Sequence, residues 1–92
     1  MKVVRAILVN DMDNCVTLAE FAHKGDAVSF QRGGEEATIA VREDIQIWHK
    51  MATSPVEKGM HVYKYGSVIG DAIKDIEAGD HVHVHNIRSP GD

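Results

Sequence analysis

Three histidines fall within five residues of this 92-residue chain, in the run His81-Val82-His83-Val84-His85-Asn86, and the chain has six in all. Imidazole titrates at about 6.5, close to neutrality, so a row of such rings can donate hydrogen bonds or protons to an anionic substrate. It can equally ligate a divalent metal, because bonds of about 2.0–2.1 Å draw neighbouring nitrogens onto one ion. If residues 80–86 form a strand, His81, His83 and His85 point one way, roughly 7 Å apart at ~3.4 Å per residue. Val82 and Val84 then point the other way, into the core. The plain alternative is a solvated edge strand on which histidine is only a tolerated polar residue. Three rings on one face, followed by Asn86, favour a site.

Two other places carry reactive side chains. In Trp48-His49-Lys50 an imidazole and a cation stand side by side, which suits a carboxylate ligand. The bland reading there is a surface turn with Trp48 as a hydrophobic anchor. In Tyr63-Lys64-Tyr65-Gly66, Lys64 flanked by tyrosines suits an anion, and Gly66 and Gly70 would let backbone approach a ligand closely. Equally, the tyrosines could pack on one face while Gly66 makes a turn. Asp11, Asp13 and Asn14 faintly resemble the opening of a calcium loop but lack its glycine and terminal glutamate. No phosphate-binding glycine loop and no GxSxG elbow is present. The single Cys15 has no partner within the chain for a disulfide and no CxxC neighbour for zinc. Nothing here makes a complete catalytic set.

The elements that must position these residues are marked by a recurring phrase: an apolar residue, two spacers, glycine, two more, then valine. It occurs at residues 22–28, 56–62 and 76–82, with a degenerate copy at 45–51 where Trp48 stands in the glycine position. Each copy reads as a tight turn opening a strand, with glycine supplying the left-handed geometry. Residues 3–9 read as a first strand, 10–14 as a polar turn, and 37–41 as a strand after the Gly33-Gly34 hairpin signal. Residues 15–23 and 66–73 are the stretches where one or two short helical turns are expected. Irregular spacing of the copies argues against a solenoid and for a mostly-β domain of short coiled strands. That domain is expected over residues 1–87, with 88–92 as a flexible tail.

Composition bounds the function. An apolar fraction of 43% and a charged fraction of 26% are those of an ordinary globular domain. A net charge of -4, with Lys and Arg scattered singly, speaks against nucleic acid as a partner. No stretch approaches the roughly 20 apolar residues of a membrane span, and the start turns polar too soon for a signal peptide. A cytoplasmic chain with no membrane partner is expected, and self-association is left open.

The run Tyr63-Lys64-Tyr65-Gly66, Ile69-Gly70, Asp75-Ile76, Ala78-Gly79 and His81 to Asn86 resembles the pattern xKYGxxIGxAxxDIxAGxxVHxHN of a known family. That family comprises the small SAF-like domain of altronate dehydratase and galactarate dehydratase, and the similar small subunit of sulfolactate sulfo-lyase. Upstream, Asp13-Asn14-Cys15-Val16-Thr17-Leu18 is similar to its DNVAVAL, and His49-Lys50 to its GHK, with Trp48 in place of the glycine. The resemblance implies a β-clip fold and β-elimination from a hydroxy acid. It also implies a divalent metal, iron(II) or similar, held mainly by a large catalytic subunit supplied in trans. On that frame His49, His83 and His85 are candidate catalytic residues, and His81, His83 and His85 candidate metal ligands. Lys50, Lys64, Tyr65, Gly66 and Asn86 are candidate contacts to a small sugar-acid substrate. The alternative is a stand-alone, non-catalytic module that binds a sugar acid or a metal, and beyond that a structural interaction domain with incidental histidines.

Overall fold

The recurring phrases are turns, and the turns set the architecture. In the computed structural model, which describes residues 2–89, Gly25, Gly59 and Gly79 have φ of 93°, 90° and 93°. Trp48 joins them at φ 68°, in the left-handed region that L side chains rarely adopt. The degenerate copy is therefore a true copy. Each of the four donates its N–H to a carbonyl on another segment: Gly25 to Val41, Trp48 to Leu18, Gly59 to Ala72 and Gly79 to Ala52, at 2.8–3.0 Å.

The leading apolar residues of the phrases pair as isolated bridges, Ala22 with Ile45 and Val56 with Ile76. Two similar halves result. The strands of the first are β2 (Cys15–Leu18), β3 (Ala27–Arg32), β4 (Glu35–Ala40) and β5 (Lys50–Ala52). The second reuses β5 and adds β6 (His61–Lys64), β7 (Ser67–Ala72) and β8 (His81–Val82). Each half runs strand, turn, hairpin, turn, strand. Strand β1 (Val3–Ile7) pairs parallel with β3 and antiparallel with β2, and β9 (Ile87–Arg88) pairs with β7. One sheet has the order β4-β3-β1-β2-β5-β8 and the other β6-β7-β9.

Strands β2 and β5 divide two cores. Val16 stands opposite Met51, and both belong to the first core with Leu18, Val28 and Ile45. Cys15 stands opposite Ala52, and both belong to the second with Val62, Ile76 and Val82. Alternation along a strand therefore sends successive residues into different cores.

Three expectations need correction. The helical turns at 15–23 and 66–73 are absent among the described residues; both regions carry strand, β2 and β7. Val16, Thr17, Val68 and Ile69 are β-branched and suit a pleated surface, and their backbones have partner strands waiting. The strand expected at 80–86 ends at Val82, and Val84 is 78% exposed rather than core. Arg88, expected in the tail, pairs with Asp71 in the β7–β9 ladder, while residues 90–92 lie outside the described residues. Among the described residues no helix is long and apolar enough to cross a membrane.

Candidate functional site

His81 is carried by β8, an edge strand whose register places it opposite Met51 of β5. Its approach is fixed by Gly79: a Cβ there would lie 2.5 Å from the Ala40 carbonyl, so only glycine lets the turn close on the end of β4. Arg42 ties the same turn, donating its N–H to the Gly79 carbonyl at 3.0 Å while its Nε lies 3.5 Å from Asp80 Oδ1.

After Val82 the chain folds back on itself around Asn86. The Asn86 side chain is buried; its Oδ1 accepts the His83 N–H at 2.9 Å and its Nδ2 donates to the His81 carbonyl at 2.7 Å. The N–H groups of Asn86 and Ile87 both donate to the His83 carbonyl at 3.1 Å. Asn86, expected to touch substrate, thus has its amide committed to the backbone of the turn that carries His83 and His85.

That turn gathers the rings even though no strand aligns them. His81 and His83 stack with centroids 5.3 Å apart and 11° between planes, and His85 lies 5.4 Å from His81. His49 completes the group from the turn before β5, stacked 4.8 Å from His83, with Nδ1 2.9 Å from His81 Nε2. His49 and His81 are half-buried, whereas His83 and His85 are exposed. Burial holds the pKa of His81 below its ordinary value, the neighbouring His49, His83 and His85 push it down further, and Glu43 opposes them. Glu43 also accepts the His81 N–H at 3.4 Å.

Two sets of side chains in this group bring ligand atoms within 4.8 Å of one another: His49, His81 and His83, and Glu43, His81 and His85. The expected trio of His81, His83 and His85 is therefore split between two sets that share His81. Glu43 was missed by sequence reasoning; it lies in an unremarkable charged loop, and only tertiary folding brings it to His81.

The two candidate lysines lie outside this group. Lys50 stands opposite Val82 and Thr17, on the face of the second core, whereas His81 stands on the face of Met51. Lys64 points inward from β6 like Val62, is 6% exposed, and its Nζ lies 4.1 Å over the Tyr65 ring. Burial pushes the Cys15 thiol up to about 11, with Lys64 and then Lys50 pulling it back. Thr17 adds a buried hydroxyl without a partner among the described residues. Tyr65 has φ 57°, and the Tyr65 and Gly66 N–H groups donate to the buried Asp13 carboxylate at 3.0 and 2.8 Å. Those donors hold the hairpin in place and are not free for a ligand. The polar 10–14 segment is thereby explained as a clamp. A separate groove of about 370 Å³, lined in part by Met60, His61 and Tyr63, includes no residue of the histidine group.

Two coiled halves of short strands, joined by left-handed turns and packed around paired cores, define a β-clip domain. The profile of the altronate/galactarate dehydratase SAF domain matches residues 4–90, and the chain belongs to that family. The chain is 42% identical to altronate dehydratase of Escherichia coli (strain K12) over 84 residues, covering 90% of this chain and 16% of that enzyme. It is 31% identical to altronate dehydratase of Bacillus subtilis (strain 168), with 90% and 16% covered. To (2R)-sulfolactate sulfo-lyase subunit alpha of Chromohalobacter salexigens it is 30% identical, covering 89% of this chain and 92% of that subunit. The chain thus spans about a sixth of the altronate dehydratases and nearly all of the sulfo-lyase subunit.

Proposed function

We propose that this chain is the small subunit of a lyase that eliminates water from a sugar acid, of the altronate or galactarate type, and that it completes an active site supplied mainly in trans by a large subunit. The observation that carries this reading is the convergence of His49, His81, His83 and His85 at an open edge of the domain. The similarity to a protein that is itself a lyase subunit supports the small-subunit form.

Elimination beside a carboxylate needs a base for the carbon-bound proton, an electrophile for the developing enediolate and an acid for the leaving group. In this reading the large subunit takes the proton. The freed electron pair becomes the carbon–carbon double bond as the carbon–oxygen bond breaks, and the departing hydroxide takes a proton from an imidazolium of this chain to leave as water. The exposed His85 is the ring that gives up this proton, and the exposed His83, with His49 stacked on it, lies at the same edge. A divalent ion, iron(II) or similar, supplies the electrophile when bound, most of its ligands lying on the large subunit. Lys50 and Lys64, which lie outside the histidine group, act as charge that draws the acid to the domain rather than as groups touching the reacting carbons. The lone, buried cysteine suits a reducing compartment, and we place the complex in the cytoplasm.

The test is to mix this chain with the large subunit from the same source and follow elimination from altronate, galactarate and sulfolactate. Activity that appears only in the mixture supports the reading. A large subunit fully active alone overturns it and favours the stand-alone binding module, a reading helped by imidazoles that already converge in this chain by itself.

A further inference from the structure

We infer that this chain binds one divalent transition-metal ion by itself, through His49, His81 and His83, before any partner is present. The inference does not depend on the lyase reading, and the ion is distinct from the one that reading holds mainly on the large subunit.

The first argument is fit. A tetrahedral ion with metal–nitrogen bonds of about 2.0–2.1 Å holds its nitrogens roughly 3.3 Å apart. The available ligand atoms of these three side chains lie within 4.8 Å of one another, and His49 Nδ1 and His81 Nε2 are already 2.9 Å apart. Small rotations of the rings bring the set onto an ion.

The second is pre-organisation. Each ligand is held by backbone that the ion need not order. His81 is in a paired strand, His83 is in the turn clamped by Asn86, and His49 directly precedes β5, its N–H donating to the Gln46 carbonyl and its carbonyl accepting from the Leu18 N–H. A merely solvated edge does not explain three rings gathered this closely, with His83 stacked on both His49 and His81.

The third is donor chemistry. Three neutral imidazoles suit zinc, nickel, copper or iron(II) and disfavour magnesium and calcium, which take oxygen ligands. Three protein ligands also leave a position for water or another small ligand. The competing set, Glu43, His81 and His85, shares His81, so the two cannot be filled together through that residue. The direct His49–His81 contact and the stacking of His83 on both rings favour the all-histidine set.

The experiment is calorimetric titration of the chelator-treated chain with zinc chloride, and with cobalt(II) for its visible spectrum. One ion per chain is expected, with a tetrahedral cobalt spectrum, and no uptake of magnesium or calcium. His49→Ala and His83→Ala should each weaken zinc by 100-fold or more, while Glu43→Gln, His85→Ala and the distant His61→Ala change it less than about threefold. Circular dichroism confirms that each variant is folded; should His49→Ala fail to fold, His49→Gln takes its place. Absence of zinc uptake by the wild-type chain overturns the proposal. So does loss of uptake in Glu43→Gln and His85→Ala with His49→Ala unaffected.

Discussion

His49 Nδ1 lies 2.9 Å from His81 Nε2, although the two residues are 32 positions apart. One of these nitrogens must carry a hydrogen and the other must not, so the contact cannot form between two imidazolium rings. A polar edge whose members merely face water has no reason to hold two rings in that relation. The consequences can be measured one at a time.

In metal-free protein His81 titrates below about 6.5, the ordinary histidine value. Burial and three neighbouring imidazoles disfavour its cation. A histidine whose pKa is lowered by folding contributes stability above the unfolded value, and that contribution is lost as pH falls through the folded one. Glu43 pulls the other way, so Glu43→Gln should lower the His81 midpoint further. Ring-carbon NMR shifts read both midpoints; a His81 midpoint above the ordinary value contradicts the arrangement.

Asn86→Ala removes two hydrogen bonds and leaves the His83 N–H and the His81 carbonyl without partners in a partly buried turn. A net loss of about 2–3 kcal/mol is expected in urea denaturation. Asn86→Asp keeps the acceptor but loses the donor to the His81 carbonyl, so it should also destabilise. If Asn86→Ala costs nothing, the turn is not held as described.

How far the molecule could be read in advance follows from where each constraint lives. The left-handed turns were legible at Gly25, Gly59 and Gly79 because that geometry is a local demand that glycine advertises. Trp48 was legible only as a misfit in the same phrase, and its φ of 68° shows the turn imposed on a residue that resists it. The end of β8 was not legible. His81 to Asn86 alternates as a strand should, but pairing with β5 ends at Val82 and Asn86 folds back on His81 and His83. The separation of Lys50 from His81 is a matter of register, and Glu43 reaches His81 only through the tertiary fold.

Trp48 is 62% exposed and so gains little from burial, while its backbone is strained. Trp48→Gly should be more stable than Trp48→Ala by about 1 kcal/mol, since alanine suffers the left-handed geometry that glycine accepts. Equal urea midpoints for the two variants would mean that the turn relaxes.

Cys15 has a thiol pushed up to about 11 by burial. It should therefore resist iodoacetamide at pH 8 in the folded chain and react freely once unfolded. Because folding raises this pKa, its contribution to stability is complete below about 9 and is lost as pH rises towards 11. Alkylation at pH 8 as fast as that of an unfolded chain would contradict the buried placement.

The most direct measurement is the elimination rate of the reconstituted complex with His83→Ala/His85→Ala in place of the wild-type chain, at saturating large subunit. A fall in kcat of about 100-fold or more is predicted, the usual contribution of a positioned acid, with assembly of the complex unchanged. An unaltered kcat in a complex of normal affinity would contradict the placement of these imidazoles in the active site.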